Sequence, residues 1–182
     1  MSKNILVICS SYRKGGNSDM LAERFIKGAR ESGNNVEKVY LSDGQISYCR
    51  GCLACQREGV TTCVMHDYAA EIAAKMNEAQ VIVFSTPVYF YGMSGNLKTM
   101  LDRTNPIYGG DYKFTDIYLL AVAADDAPSA VDGTVKGIQG WIDCFERCSL
   151  KGVVFGGGVT AKGEIEGHEA LDRAYELGKS VN

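Results

Sequence analysis

Five short apolar runs alternate with stretches of helical periodicity, and that alternation restricts the fold more than any other feature of the chain. The runs occupy residues 5–9, 36–41, 81–84, 117–124 and 153–155. Each has the length and composition of a buried strand. After the first run, Leu21 and Phe25 recur four apart with Ala22, Ile26 and Ala29 beside them, and Gly33 stands where such a helix would stop. Residues 68–77 place Ile72 and Met76 on one face beside Ala69 and Ala73, with Asp67 as the expected N-cap. Residues 95–103 predict a short helix. Residues 131–148 and 164–180 predict longer ones, carried by Ile138, Ile142 and Phe145 and by Leu171, Ala174 and Leu177.

Strands separated by helices cannot pair as hairpins and require a parallel sheet covered on both faces. Five such units fit an α/β, flavodoxin-like doubly wound five-stranded parallel sheet of order 2-1-3-4-5, with ligand at the carboxyl ends of the strands. A length of 182 residues suits a single domain, 1–182, and neither repeat nor linker divides it. Residues 42–67 are the exception. This cysteine-rich insertion after strand 2 is far longer than an ordinary connection and holds four cysteines.

The first strand runs into Ser10-Ser11-Tyr12-Arg13-Lys14-Gly15-Gly16-Asn17-Ser18, a turn rich in hydroxyls and glycine, and then directly into the first helix. Hydroxyl donors, a fork-shaped cation, approachable backbone N–H groups and a helix N-terminus together suit a phosphate. Several groups are needed. A helix terminus adds only about 0.3–1 kcal/mol, and each charge-assisted hydrogen bond about 1.5–3 kcal/mol. On this loop alone, a phosphate site and a polar turn that binds nothing fit equally well.

A second loop, Ser85-Thr86-Pro87-Val88-Tyr89-Phe90-Tyr91-Gly92-Met93-Ser94-Gly95, follows the third strand. Three successive aromatics cannot all face a core from a loop, and Gly92 and Gly95 permit close backbone approach. Such a segment suits a flat heterocycle with polar edges; a packing cluster or a dimer contact accounts for the rings taken singly.

Taken together, the two loops resemble those of the NAD(P)H-dependent FMN reductase group of the flavodoxin-like superfamily. The resemblance rests on residues 10–18, on Thr86-Pro87-Val88-Tyr89 and on Ser94-Gly95-Asn96-Leu97-Lys98 followed by Asp102-Arg103, and it covers almost the whole chain. It implies that Ser11, Arg13, Asn17 and Ser18 hold the FMN phosphate. It implies too that Thr86, Pro87, Val88, Tyr89, Phe90, Tyr91 and Gly92 surround the isoalloxazine ring. The activity implied is an FMN-dependent oxidoreductase in which NADPH or NADH passes hydride to the flavin and an acceptor receives the electrons. No catalytic side chain is then required, because the cofactor carries the chemistry. Ser10 departs from the glycine frequent in the family. Asp102 and Arg103 read as an internal ion pair.

The insertion carries Cys49, Cys52, Cys55 and Cys63 at Cys-x2-Cys-x2-Cys-x7-Cys spacing. Four thiolates in a compact run are what a [4Fe–4S] cluster requires, and zinc is the second candidate because its sites favour two separated Cys-x2-Cys knuckles. Free thiols that stiffen a loop fit the spacing as well. The arrangement resembles the iron-sulfur flavoproteins, a branch of the same superfamily. That branch implies an electron carrier joining FMN, the cluster and a ferredoxin-like protein partner. The superfamily also implies a homodimer or homotetramer covering the exposed ring, with Leu53 and Val60 available to an interface.

Other features narrow the class. Net charge is −3 and basic residues do not cluster, which argues against nucleic acid. The first apolar run is too short for a signal peptide or a membrane span, so a cytoplasmic protein without membrane attachment is expected. Seven cysteines in that reducing setting point to metal or redox chemistry. Cys144 and Cys148 are expected as packed neighbours on one helix, and Cys9 as a buried apolar residue. Gly-x-Gly-x-x-Gly after the first strand, a P-loop and a hydrolase elbow are all missing from the sequence.

Overall fold

The computed structural model describes residues 2–182. Its strands are β1 (Asn4–Cys9), β2 (Asn35–Tyr40), β3 (Val81–Tyr89), β4 (Gly92–Met93), β5 (Asp116–Val122) and β6 (Ser149–Gly156). The helices are α1 (Asn17–Glu31), α2 (Tyr68–Glu78), α3 (Gly95–Asp102), α4 (Asp132–Ile142) and α5 (Glu169–Lys179). The sheet runs β2-β1-β3-β5-β6, all parallel, and the two-residue β4 folds back antiparallel on the end of β3. With β4 set aside, this is the expected flavodoxin-like order.

Strand alternation divides the core between two faces. Val7, Val83, Leu120 and Val154 point to α1 and α5, where Leu21, Phe25 and Ala174 cover them. Ile8, Phe84 and Leu119 point the other way, to Ile72 and Met76 of α2, Leu97 of α3 and Ile138 of α4. The pair α1–α5 packs backbone to backbone. A Cβ placed on Gly28 would lie 2.1 Å from the Tyr175 carbonyl oxygen, and one on Gly178 would lie 2.1 Å from that of Phe25.

Several boundaries differ from the sequence expectations, each for a physical reason. Strand β3 continues to Tyr89 instead of ending near Phe84, because Ser85, Thr86 and Pro87 still pair with Leu120, Ala121 and Val122 of β5. Helix α4 stops at Ile142. Beyond it, i to i+3 bonds from Cys144 N–H to the Trp141 carbonyl and from Phe145 N–H to that of Ile142 tighten the chain. This swings Phe145 into an aromatic cluster with Tyr112, Phe114 and Trp141, at ring separations of 4.6–5.2 Å from each. Cys144 and Cys148 therefore lie beyond the helix, the first exposed and the second half-buried. Helix α5 begins at Glu169 and is capped by His168, whose Nδ1 accepts from Ala170 N–H at 3.0 Å.

The internal ion pair involves different partners from those expected. Asp102 pairs with Lys98, whereas Arg103 reaches Asp67 with two 2.7 Å bonds. Arg103 also donates to the carbonyls of Ser47 and Met65, at 2.7 and 3.2 Å. One buried guanidinium thus closes both ends of the 42–67 insertion. Asp67 stands at the N-cap position of α2, but its carboxylate is used by Arg103 and by Ser47 N–H rather than by the helix.

Candidate functional site

The carboxyl ends of β1, β3, β5 and β6 converge on a cleft of about 180 Å³. It is lined by Ser11, Arg13, Asn17 and Ser18 from the first loop, by Pro87, Val88 and Tyr89 from β3, by residues 122–124 after β5, and by Val159, Thr160 and Lys162 after β6. No carboxylate is among these residues. The two loops singled out in the sequence meet here, separated by the width of one strand.

The first loop presents unused donors. The first intrahelical bond of α1 runs from Met20 N–H to the Gly16 carbonyl. The N–H groups of Asn17, Ser18 and Asp19 therefore have no partner from the helix itself. Gly15 adopts a left-handed φ of +70°, and its N–H donates to Asp19 Oδ2 at 2.6 Å. At Gly16 a Cβ would lie 2.8 Å from the Arg13 carbonyl oxygen, so the turn excludes a larger residue there.

Beneath the loop, Asp19 is buried against Lys38 of β2 and also accepts from the Tyr40 hydroxyl. Burial alone would raise the Asp19 pKa. Lys38, Gly15 N–H and Tyr40 outweigh it, so the carboxyl titrates below its usual range. Lys38 is held above its own range for the complementary reason. The acid in the first turn of α1 is thus neutralised from below. Next to this pair, burial pushes the Cys9 thiol up to about 12, leaving it inert at neutral pH.

The two loops are joined through buried hydroxyls. Ser10 Oγ donates to the Ser85 carbonyl at 3.1 Å, Ser94 Oγ donates to Ser10 Oγ at 2.8 Å, and Asn96 Nδ2 donates to the Ser10 carbonyl at 2.7 Å. Thr86 Oγ1 accepts from Ser94 N–H at 3.1 Å. Ser10, the departure from the family pattern, is therefore the residue that ties the first loop to the second. Thr86 is fully buried and is not among the residues that line the cleft.

Asn17 lines the cleft but spends its amide elsewhere. Its Nδ2 donates to the Ala161 carbonyl at 2.8 Å, and its Oδ1 accepts from Gly163 N–H at 3.0 Å. It clamps the loop after β6 to the start of α1. Arg13 adds a second tie, from Nη1 to the Thr160 carbonyl at 3.0 Å, and keeps its other donors.

Phe90 and Tyr91 form the tip of the β3–β4 hairpin, with φ of +48° and +60°. That conformation belongs to a tight two-residue turn that ordinarily selects Asn and Gly. Phe90 is fully exposed, and Tyr89 and Tyr91 are more than half exposed. The tip is braced from below: the Tyr91 hydroxyl donates to Asp125 at 3.1 Å. At Gly133 on α4 a Cβ would lie 2.2 Å from the Tyr91 carbonyl oxygen.

The four cysteines of the insertion are not gathered into a ligand set. Among the described residues, no group of three or more His, Cys, Asp or Glu side chains is placed to hold a metal ion. Asn105 Nδ2 donates to Cys55 Sγ at 3.3 Å, while Cys49 and Cys63 border different surface grooves. As arranged, these thiols do not fit a [4Fe–4S] cluster. His66 is an exposed loop residue.

Lys162, Thr160 and Val159 were not singled out in the sequence, nor were residues 122–124. The signal was topological: in a parallel sheet every loop at the carboxyl edge can reach a site there. The turn after β6, rich in glycine and opened by Gly156-Gly157-Gly158, carries no motif that marks it.

A sequence model of the family described as NADPH-dependent FMN reductase matches residues 3–136. An iron-sulfur flavoprotein of Archaeoglobus fulgidus is 30% identical over 178 residues, 96% of this chain and 76% of that protein. A Bacillus subtilis protein named as an NAD(P)H-dependent FMN-containing oxidoreductase, YwqN, is 30% identical over 95% of both chains. Among solved structures, an azoreductase from Bacillus anthracis superposes with a TM-score of 0.75 over 100% of both chains at 18% identity, a likeness of fold. No helix among the described residues is long and apolar enough to cross a membrane.

Proposed function

The chain belongs to the NADPH-dependent FMN reductase family, and from that premise we propose that the cleft at the carboxyl edge of β1, β3, β5 and β6 is its FMN site. The protein is an NAD(P)H-dependent flavin oxidoreductase that uses FMN. Residues 1–182 act as one FMN-binding domain. The donor set fits the cofactor: orphan N–H groups at the start of α1, the hydroxyls of Ser11 and Ser18 and the Arg13 guanidinium meet in a cleft without a carboxylate. That convergence carries the reading.

In this assignment Ser11, Arg13 and Ser18 hold the phosphate with the α1 N-terminus, and Asn17 positions the wall opposite them. Pro87, Val88 and Tyr89 lie against the ring, with the Phe90-Tyr91-Gly92 tip at its outer edge and Thr86 fixing the turn behind. When bound, FMN supplies the chemistry, taking hydride from a nicotinamide nucleotide and passing electrons to an acceptor. The protein's share is binding and orientation. A cleft of about 180 Å³ is below the roughly 300–1,000 Å³ of an enclosing ligand pocket, so one chain leaves the ring partly open. That opening is where a nicotinamide would stack, and it is the reason to expect a homodimer or homotetramer. Seven free thiols suit a reducing cytoplasm.

The test is a pair of titrations with FMN and riboflavin. Arg13→Ala should weaken FMN at least tenfold and leave riboflavin unchanged. An equal effect on both ligands would remove the phosphate from this loop.

A second reading rests on the Archaeoglobus relative, an iron-sulfur flavoprotein by name, and on the Cys-x2-Cys-x2-Cys-x7-Cys run. It makes the protein an electron carrier with a protein partner, and it requires the insertion to rearrange around a cluster. Iron and acid-labile sulfide assayed on an anaerobic preparation decide it: about four of each per chain support the carrier, and neither leaves a plain FMN reductase.

A further inference from the structure

The loop between β6 and α5 lines the cleft with Val159, Thr160 and Lys162. Its placement is highly determined. Asn17 holds it with bonds to Ala161 and Gly163, Arg13 holds Thr160, and Glu164 Oε2 accepts from the N–H groups of Thr160 and Ala161 at 2.5 and 2.7 Å. Gly163, at φ of +91°, completes the turn. The result is to set Lys162 against the first loop at the edge of the cleft. A Cβ placed on Gly15 would lie 3.3 Å from Lys162 Nζ, so the ammonium rests over the bare Cα of that glycine. Lys162 has no salt bridge among the described residues, whereas Lys14 pairs with Asp43 and Lys38 with Asp19 and Glu23. The cleft itself contributes no acid to neutralise it.

An unpaired ammonium held beside the glycine that leads into α1, in a cleft that also presents the Arg13 guanidinium and no acid, is an arrangement that like charges oppose unless an anion joins them. We propose that Lys162 is a phosphate-binding residue of the FMN site, supplied by the loop after β6 and positioned by Asn17. This rests on the phosphate assignment of the proposed FMN site and adds to it a second cation carried by a different loop. Asn17 is then a positioning residue: its amide does not reach for the ligand but fixes the loop that does.

The experiment uses the full chain, with FMN and riboflavin titrated by flavin fluorescence and NADPH turnover recorded alongside. Lys162→Met, at an exposed side chain, should weaken FMN about tenfold, leave riboflavin unchanged, and flatten the salt dependence of FMN binding. Lys162→Arg should restore most of the affinity. In an Asn17→Ala background the effect of Lys162→Met should shrink, because the loop no longer holds the ammonium in place. If Arg13→Ala is phosphate-selective but Lys162→Met is not, the inference is overturned and the FMN site stands. If neither is selective, the phosphate assignment falls with it. Unchanged FMN affinity with a raised KM for NADPH would overturn it in favour of a role toward the nicotinamide nucleotide.

Discussion

Arg103 and Asp67 face each other through two 2.7 Å hydrogen bonds, with the guanidinium 2% exposed and the carboxylate at the mouth of α2. Burial alone would raise the Asp67 pKa. The Arg103 cation and the Ser47 N–H reverse that and bring it down to about 2. A carboxyl depressed below its unfolded value of about 3.9 contributes stability in full above that value and loses it as pH falls toward 2. The contribution is about 2 kcal/mol. Asp67→Asn should therefore be less stable than the parent at pH 7 in urea, and the gap should narrow below about pH 4 and vanish only as pH falls through about 2. Arg103→Met leaves the carboxylate without its cation and should cost about 3–5 kcal/mol, with the 42–67 insertion becoming the first segment cut by protease.

The Lys38–Asp19 pair predicts a charge effect at a distance from any ligand. Lys38→Met would leave a bare carboxylate under the phosphate loop and should weaken FMN about tenfold. The double variant Asp19→Asn, Lys38→Met removes the repulsion and should recover most of the loss. Equal affinities for the single and double variants would show that Lys38 acts through packing alone.

Phe90 and Tyr91 occupy backbone conformations that cost about 1–3 kcal/mol each in residues of this size. Replacing them with Asn and Gly relieves the turn and should raise stability by about 1–2 kcal/mol in thermal unfolding. Gly133→Ala should do the reverse, because a Cβ there meets the Tyr91 carbonyl oxygen at 2.2 Å. A hairpin tip kept aromatic against this strain is expected to matter for the flavin ring or for the nicotinamide stacked on it. The Asn-Gly variant should accordingly trade turnover for stability.

Thiol chemistry separates five of the seven cysteines without any cofactor. Cys49, Cys52 and Cys144 are exposed and should label at once with a disulfide reagent. Burial pushes Cys148 up to about 11, which should slow it, and holds Cys9 at about 12, which should protect it until the protein unfolds. Mass spectrometry after pulse labelling reads the order.

Legibility in the sequence followed the range of the interaction involved. Strand and helix order is local, carried by runs such as Val81 to Phe84 and by the Leu21–Phe25 spacing, and it was readable except for the two-residue β4, which lies inside what reads as a loop. The two loops were readable because strand, turn and helix adjoin in sequence. Helix ends failed where tertiary packing overrode periodicity, as when the Phe145 ring was drawn into the Tyr112, Phe114 and Trp141 cluster. Side-chain partners far apart in the chain were the least accessible: nothing near Asn17 signals Ala161, and nothing beside Arg103 signals Asp67 better than Asp102. Lys162 stayed hidden for the same reason. A lysine in a polar turn acquires meaning only when another segment is laid against it.

The glycine contact between α1 and α5 bears on how the ligand gets in and out. Gly28 and Gly178 bring the two helices together with no side chain between them. The loop before α1 carries Arg13 and the loop before α5 carries Lys162, so both cations are mounted on a single welded block. Parting the two loops would mean dragging one helix along the other against interlocked main chain. The cation-bearing end of the cleft is thus a fixed socket, and a ligand that enters it must pass the other end, where Phe90 at the β3–β4 tip stands fully in solvent.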